Sequence, residues 1–315
     1  MLRLAALGLV PAAASPLGGQ HPPDSLEQVL RQVRTGAAAF RSTDSALRQN
    51  YIQLRPIRRI PGLNPFVGEH WFNPRWLRLP ALDPARPAYL MYYPIDGREQ
   101  LVGVGYAFSQ PSGALPPPDF AGATPQWHLH HPCGGLPGLG SLLIGSPEEC
   151  RALGGKAGAT QIVMLHVWLE PNPDGAFGSE NPALPFLATA LTPPDSAAFA
   201  DPDRSTGLRE LGLALAETIG ARPRYGTMSE FGPDSARFRA RADPLRARLR
   251  LLADSLRAAE RNRDPAAYDR GAVRAVGAGR KLRQVYLDLA PGPVARTLME
   301  RWFEAVLTPG HGPAH

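Results

Sequence analysis

The chain has 315 residues, 43% of them hydrophobic, and carries a net charge of +6; it is long enough to bury one large core or two modest ones without a disulfide scaffold. Its 35 prolines and 32 glycines, about a fifth of the whole, stay below the level that marks low complexity. The charge excess is C-terminal and mostly arginine, with 14 basic against 14 acidic residues over 1–200 and 20 against 14 over 201–315, so it reads as a solvated face and nucleic acid is set aside as a partner.

Met1-Leu2-Arg3, the apolar run from Leu4 to Val10 and the small residues Pro11 to Ser15 follow the order of an export signal. Residues 1–20 are therefore expected to be a signal peptide or a disordered tail, and the protein to be extracytoplasmic, periplasmic or secreted. No later stretch reaches the roughly 18 apolar residues of a membrane span. Residues 24–48 repeat apolar positions at three and four, which predicts one helix with Asp24 or Ser25 as its cap.

From Ile60 to about Leu191 the pattern changes to short apolar runs broken by Pro, Gly and Asp. Tyr89 to Tyr93 and Leu101 to Phe108 predict a hairpin around Asp96-Gly97, with a turn longer than the two-residue type, and Gln161 to Leu169 predicts a further strand. Beyond Pro193-Pro194 the pattern is helical. Residues 207–219 end at Gly220, Asp243-Pro244 opens a helix with Leu245, Leu249, Leu252 and Leu256 on one face, and Asp264-Pro265 and Pro291-Gly292-Pro293 open two more. Arginines 246, 250, 257 and 261 fall opposite those leucines and are expected to be wet.

The fold class that follows is α+β: an antiparallel β-rich core, barrel or sandwich, with an N-terminal helix and a C-terminal helical region. The β-rich domain is assigned to residues 21–192 and the helical region, a hairpin or small bundle that could seat a protein partner, to 193–315. Cys133 and Cys150, the only cysteines, lie 17 residues apart. A disulfide is the natural reading in an oxidising compartment; two free thiols, or Cys133 as a soft ligand, are the alternatives.

Five of the eight histidines sit in three short segments, Gly68 to Pro74, Gln126 to Cys133 and Met164 to Leu169. Side chains alternate along a strand, so His128 and His130 share a face while Trp127, Leu129 and His131 take the other. The same alternation puts Met164, His166 and Trp168 opposite an apolar set, Val163, Leu165, Val167 and Leu169. If those two strands are neighbours, His128, His130 and His166 form a set with His70 as fourth member, and imidazoles suit zinc or copper at about 2 Å. A hydrogen-bonded structural role for each histidine is the competing reading. His131 falls on the wrong face, and His21, His311 and His315 lie in tails. Trp71, Trp127 and Trp168 are placed to wall the site, or are ordinary core; Asn172 to Phe177 and Asn181 to Pro185 read as turns that close its rim. Glu69 beside His70 should point away from it.

No phosphate loop, nucleophile elbow, His-Glu-x-x-His helix or paired-cysteine zinc signature occurs. Gly68-Glu69-His70-Trp71, Pro87 to Tyr92, Leu101 to Tyr106, Phe120-Ala121-Gly122, Trp127-His128-x-His130 with Cys133, and His166-x-Trp168 with Asn172 to Phe177 together resemble a family of uncharacterised bacterial conserved hypothetical proteins, over roughly residues 60–185. That resemblance implies a shared site and no particular reaction. It also implies that a histidine-proline pair stands in relatives at Asn181-Pro182, and a glutamate at Gly105, leaving this chain fewer donors. The leading expectation is an exported metal-binding protein with no assigned reaction. The alternatives are a β-barrel or sandwich binding a small organic ligand without metal, a metal-dependent enzyme, and an interaction protein using its C-terminal helices.

Overall fold

A computed structural model describes residues 26–53, 65–76, 82–136, 140–219, 235–290 and 292–308. The export segment, the Asp24–Ser25 cap, His21, His311, His315 and the Gly220 helix stop lie outside the described residues. The expected single N-terminal helix is instead two, α1 (Leu26–Ala37) and α2 (Thr43–Arg48), joined by a short 3-10 turn at Ala38–Phe40. Two side chains make the break. Ser42 accepts the Ser45 N–H as an N-cap, and the hydroxyl of Tyr92 reaches over from the sheet to the Phe40 carbonyl at 2.6 Å and the Ser42 carbonyl at 3.2 Å. Carbonyls satisfied from outside no longer favour a continuous helix.

The sheet is built from β1 (Ile52–Gln53), β2 (Glu69–Phe72), β3 (Tyr89–Ile95), β4 (Arg98–Pro111), β5 (His128–Leu136), β6 (Gly140–Ile144), β7 (Lys156–Ala157) and β8 (Thr160–Trp168). Its order is β1-β2-β3-β4-β8-β5-β6, with β7 on β5, all pairings are antiparallel, and the sheet curls into a half-barrel. The β3–β4 turn corrects the expectation of a longer loop: Ile95 pairs with Arg98, and Asp96 and Gly97 have φ of 50° and 73°. Two positive φ values define the two-residue hairpin turn whose twist matches that of the strands.

One sheet face buries Leu90, Val104, Tyr106, Leu165 and Val167 against Val29, Val33 and Phe40 of the N-terminal helices. The pleat of β8 turns Leu165 and Val167 to that face, and both faces of the strand are buried from Val163 to Trp168. A short helix α3 (Pro147–Ala152) follows β6. Cys150 on α3 is disulfide-bonded to Cys133 on β5, with Cα atoms 5.6 Å apart, so Cys133 is a crosslink and not a free ligand.

A short helix α4 (Leu184–Ala188) falls before the expected boundary at 193, and the region beyond that boundary comprises α5 (Ser196–Ala200), α6 (Pro202–Ile219), α7 (Ser235–Arg261), α8 (Pro265–Asp288) and α9 (Pro293–Leu307). Asp264 caps α8 by accepting the Ala267 N–H at 2.9 Å, as the Asp-Pro pair predicts. Asp243-Pro244 does not open a helix: Pro244 lies inside α7. An interior proline costs about 3 kcal/mol, and burial of Phe238, Ala242, Leu249 and Leu256 on the same helix offsets it. Arg246 is likewise buried, donating to the Tyr286 hydroxyl at 2.9 Å, whereas Arg250 and Arg261 are wet as expected. α6 docks on the β region through Phe66, which packs with Leu213 and Val306; a Cβ on Gly212 would stand 2.9 Å from the Phe66 ring.

The crosslink yields a first expectation. Reducing Cys133–Cys150, or replacing both cysteines with serine, should lower unfolding stability by about 3 kcal/mol for a loop of this length. Denaturant midpoints of oxidised and reduced protein measure it, and coincident midpoints would contradict it.

Candidate metal centre

Residues directly opposed across antiparallel strands project from the same face. Through the register His70↔Met91, Met91↔Gly103, Gly103↔Trp168 and Gly105↔His166, His70 and His166 share one face. His128 opposes Met164 and His130 opposes Ile162, two and four positions from His166 on β8, so both join that face. The four sequence-selected histidines therefore line one side of the sheet, opposite the apolar face that holds α1.

Reach is the harder condition. In a flat sheet β2 and β8 stand three strand spacings apart, about 14 Å. Here the His70 and His166 Nε2 atoms are 3.4 Å apart. Curling brings the strands round, and the glycines of β4 keep the space between them clear: a Cβ on Gly105 would stand 3.0 Å from the Tyr89 Cβ and 3.6 Å from the His166 ring, while one on Gly103 would strike Met91. Ring centroids are 5.4 Å apart for His70–His166, 4.5 Å for His128–His166 and 5.1 Å for His128–His130. Among the described residues, no three of His, Cys, Asp or Glu bring their donor atoms onto one point closely enough to hold an ion as they stand.

The other ring nitrogens are held by the backbone. His166 is fully buried, and its Nδ1 lies 2.7 Å from the Ser179 carbonyl, a contact that requires the proton on Nδ1 and turns the Nε2 lone pair toward His70. His70 is hydrogen-bonded to the backbone of Gly68, whose positive φ of 76° is a conformation that suits glycine. Burial pushes His70 and His130 down to about pKa 4 and His166 well below its ordinary value. Neighbouring histidines add to the depression of His130 and His166. All three rings are neutral at pH 7, the form in which imidazole binds a metal.

The tryptophans divide. Trp168 stays on the histidine face, 5.8 Å from His166 between ring centroids, and donates to the Gly178 carbonyl at 2.7 Å. Trp71 and Trp127 belong to the opposite core; each is one residue from a histidine and so on the other side of the pleat, so the core alternative holds for these two and Trp168 alone stays beside the histidines. Glu69 faces away from His70, as expected, and takes a hydrogen bond from Gln53. His131 opposes Ile144 on β6 and is buried.

The segment 172–181 borders the histidine face through Gly178 and Ser179; Asn172 and Asn181 are the rim residues that the turn pattern offers, whereas Gly178, Ser179 and Glu180 fall between the two expected turns. Asn172 donates to the Glu180 carbonyl at 2.7 Å and accepts the Asp174 N–H at 3.0 Å; Asn181 donates to the Pro171 carbonyl at 3.1 Å. Ser179 and Gly178 contribute through backbone carbonyls, which have no side-chain signature. Beyond them Gln126, Asp174, Ser179, Glu180 and Arg209 line a polar cavity of about 200 Å³. Arg209, on α6, pairs with Glu180 at 2.7 Å.

Comparisons with protein-family models, curated proteins and solved structures return no match. The residues alone carry the functional reading.

The buried rings make stability depend on pH. Unfolded imidazoles take up protons near pH 6.5, but His70 and His130 do so in the fold only near pH 4. Between those values the unfolded state binds more protons. Stability of the metal-free protein should therefore be full above about pH 6.5 and fall as pH drops toward 4, the unfolding equilibrium shifting by up to about tenfold per ring per pH unit. Chemical denaturation at stepped pH tests this, and His130→Asn should flatten the slope; an unchanged midpoint from pH 7 to 4.5 would contradict it.

Proposed function

We propose that this is a transition-metal-binding protein that holds zinc or copper through His70, His128, His130 and His166. The single observation behind it is the 3.4 Å approach of the His70 and His166 Nε2 atoms while His166 Nδ1 is committed to a carbonyl. Two lone pairs aimed at each other at that distance repel unless a cation or proton lies between them. Two nitrogens each about 2.05 Å from a tetrahedral ion stand about 3.4 Å apart, and their ring centroids about 5 Å apart; the three centroid separations bracket that value. The reading requires His128 and His130 to turn about their side-chain bonds until their nitrogens meet the ion held between His70 and His166. The resemblance to the uncharacterised bacterial family belongs to the same reading and adds no reaction.

We also place the protein outside the cytoplasm. The supports are the disulfide, which persists in oxidising compartments, and the apolar N-terminal segment. No helix among the described residues is long and apolar enough to cross a membrane.

Elemental analysis of purified protein, then titration of the chelator-stripped protein with Zn²⁺ and Cu²⁺, tests the metal reading. Alanine at His70, His128, His130 or His166 should each lower affinity by orders of magnitude, because the remaining donors cannot close the coordination sphere. His131→Ala should keep full metal content even if it destabilises the fold. Equal metal content in all five variants would defeat the proposal, as would melting temperatures of the wild type that ignore both added metal and chelator.

A further inference from the structure

We infer that Arg209, in the helical region and remote in sequence from every histidine, is a positioning residue for the histidine site; the inference deepens the metal-binding reading and rests on it. Arg209 is 2% exposed. Its Nη1 donates to Glu180 Oε2 at 2.7 Å, its Nη2 lies 3.5 Å from Asp174 Oδ2, and its guanidinium sits over the Phe66 ring at 5.6 Å. Asp174 and Glu180 bracket the segment that presents two consecutive carbonyls to β8: Gly178 takes the Trp168 indole N–H and Ser179 takes the His166 Nδ1 proton, both at 2.7 Å.

The segment is tightly closed on itself. A Cβ on Gly178 would stand 2.8 Å from Asn172 Nδ2 and 3.1 Å from the Glu180 carbonyl oxygen, and Asn172 itself ties to Glu180 and Asp174. A guanidinium fork that grips both ends of such a segment fixes where its middle carbonyls point. The Ser179 carbonyl in turn selects the His166 tautomer that leaves Nε2 free of its proton. Carbonyl partners of ligating histidines act in this way, and their loss weakens metal binding by about 10- to 100-fold. α6 therefore holds the histidine face as well as docking the helices.

The test must separate positioning from docking. Arg209→Gln alone strands a buried carboxylate, so Glu180→Gln/Arg209→Gln, which removes both charges, is the main variant and Arg209→Lys the milder one. In metal-free protein, ¹⁵N NMR of the imidazoles should show His166 as the Nδ1–H tautomer in the wild type and as a mixture with Nε2–H in the double variant. Zn²⁺ affinity, read by competition with a chelating dye, should fall by about 10- to 100-fold in the same variant. A merely docking Arg209 predicts a lower melting temperature with His166 still wholly Nδ1–H, and that result overturns the inference. If the double variant does not fold, Arg209→Lys decides: the lysine keeps one contact but cannot span both carboxylates, so a smaller tautomer shift is expected and an unchanged His166 overturns the inference. A wild type that binds no metal would sink the metal reading, while the tautomer measurement would still judge Arg209.

Discussion

The structure depends on the curl of one sheet at strand β4. Four histidines come from three strands, of which β8 and β5 are paired neighbours while β2 stands three strand spacings from β8 in a flat sheet, and only curvature brings β2 round toward them. Curvature alone would drive side chains together over β4, and Gly103 and Gly105 remove them at the two positions that lie between His70 and His166 in the register. Glycine in a strand interior weakens it and commonly marks a close approach. Here the approach is by side chains of neighbouring strands, Met91, Tyr89 and His166. The weakness is offset on the other face, where Val104 and Tyr106 of the same strand are buried with Leu90, Leu165 and Val167.

The backbone supplies part of the orientation of the histidine layer. Ser179 and Gly178 hold His166 and Trp168, so the tautomer is set by the course of a rim segment. That segment answers to Arg209, and Arg209 to the α6 packing of Phe66 against Leu213 and Val306. The buried Arg209–Glu180 pair adds little net stability by itself, because desolvation of both charges consumes most of their attraction. Its effect is geometric: it admits one arrangement of rim and helix.

Legibility followed the range of the physics. The pleat is local and periodic, so the shared face of His128 and His130 and the opposite face of His131 can be read from spacing alone, whereas His166 joins them through the β5–β8 register, which spacing does not fix. The same rule applied to Trp71 and Trp127 puts them in the core, which decides for these two between the wall and core alternatives that nearness in sequence left open. Asp-Pro carried the α8 cap correctly and the α7 start wrongly, because tertiary burial of Phe238 and Ala242 extends a helix through a proline that local propensity would use as its beginning. Arg246 is buried because Tyr286, forty residues away, receives it, and the break between α1 and α2 comes from Tyr92, fifty residues away. Partners at such distances leave no pattern in a window of one or two turns. The Ser179 carbonyl leaves none at all.

On the proposed metal reading, the donor set also constrains what kind of ion the site would favour. Both cysteines are spent in the disulfide, so no thiolate is available, and the strand positions on the histidine face, including Phe72, Tyr89, Met91, Ala107, Ile162 and Met164, bring no carboxylate. Neutral imidazoles would leave the whole charge of an ion in place, inside a region where burial already depresses the pKa of His70, His130 and His166. Glu69, adjacent to His70, faces away from it, and Glu180 on the rim is matched by Arg209. Such a site discriminates against hard, oxygen-seeking ions by ligand type and against high charge by desolvation. The same burial that holds the imidazoles ready to bind therefore sets a limit on how much positive charge they can accept.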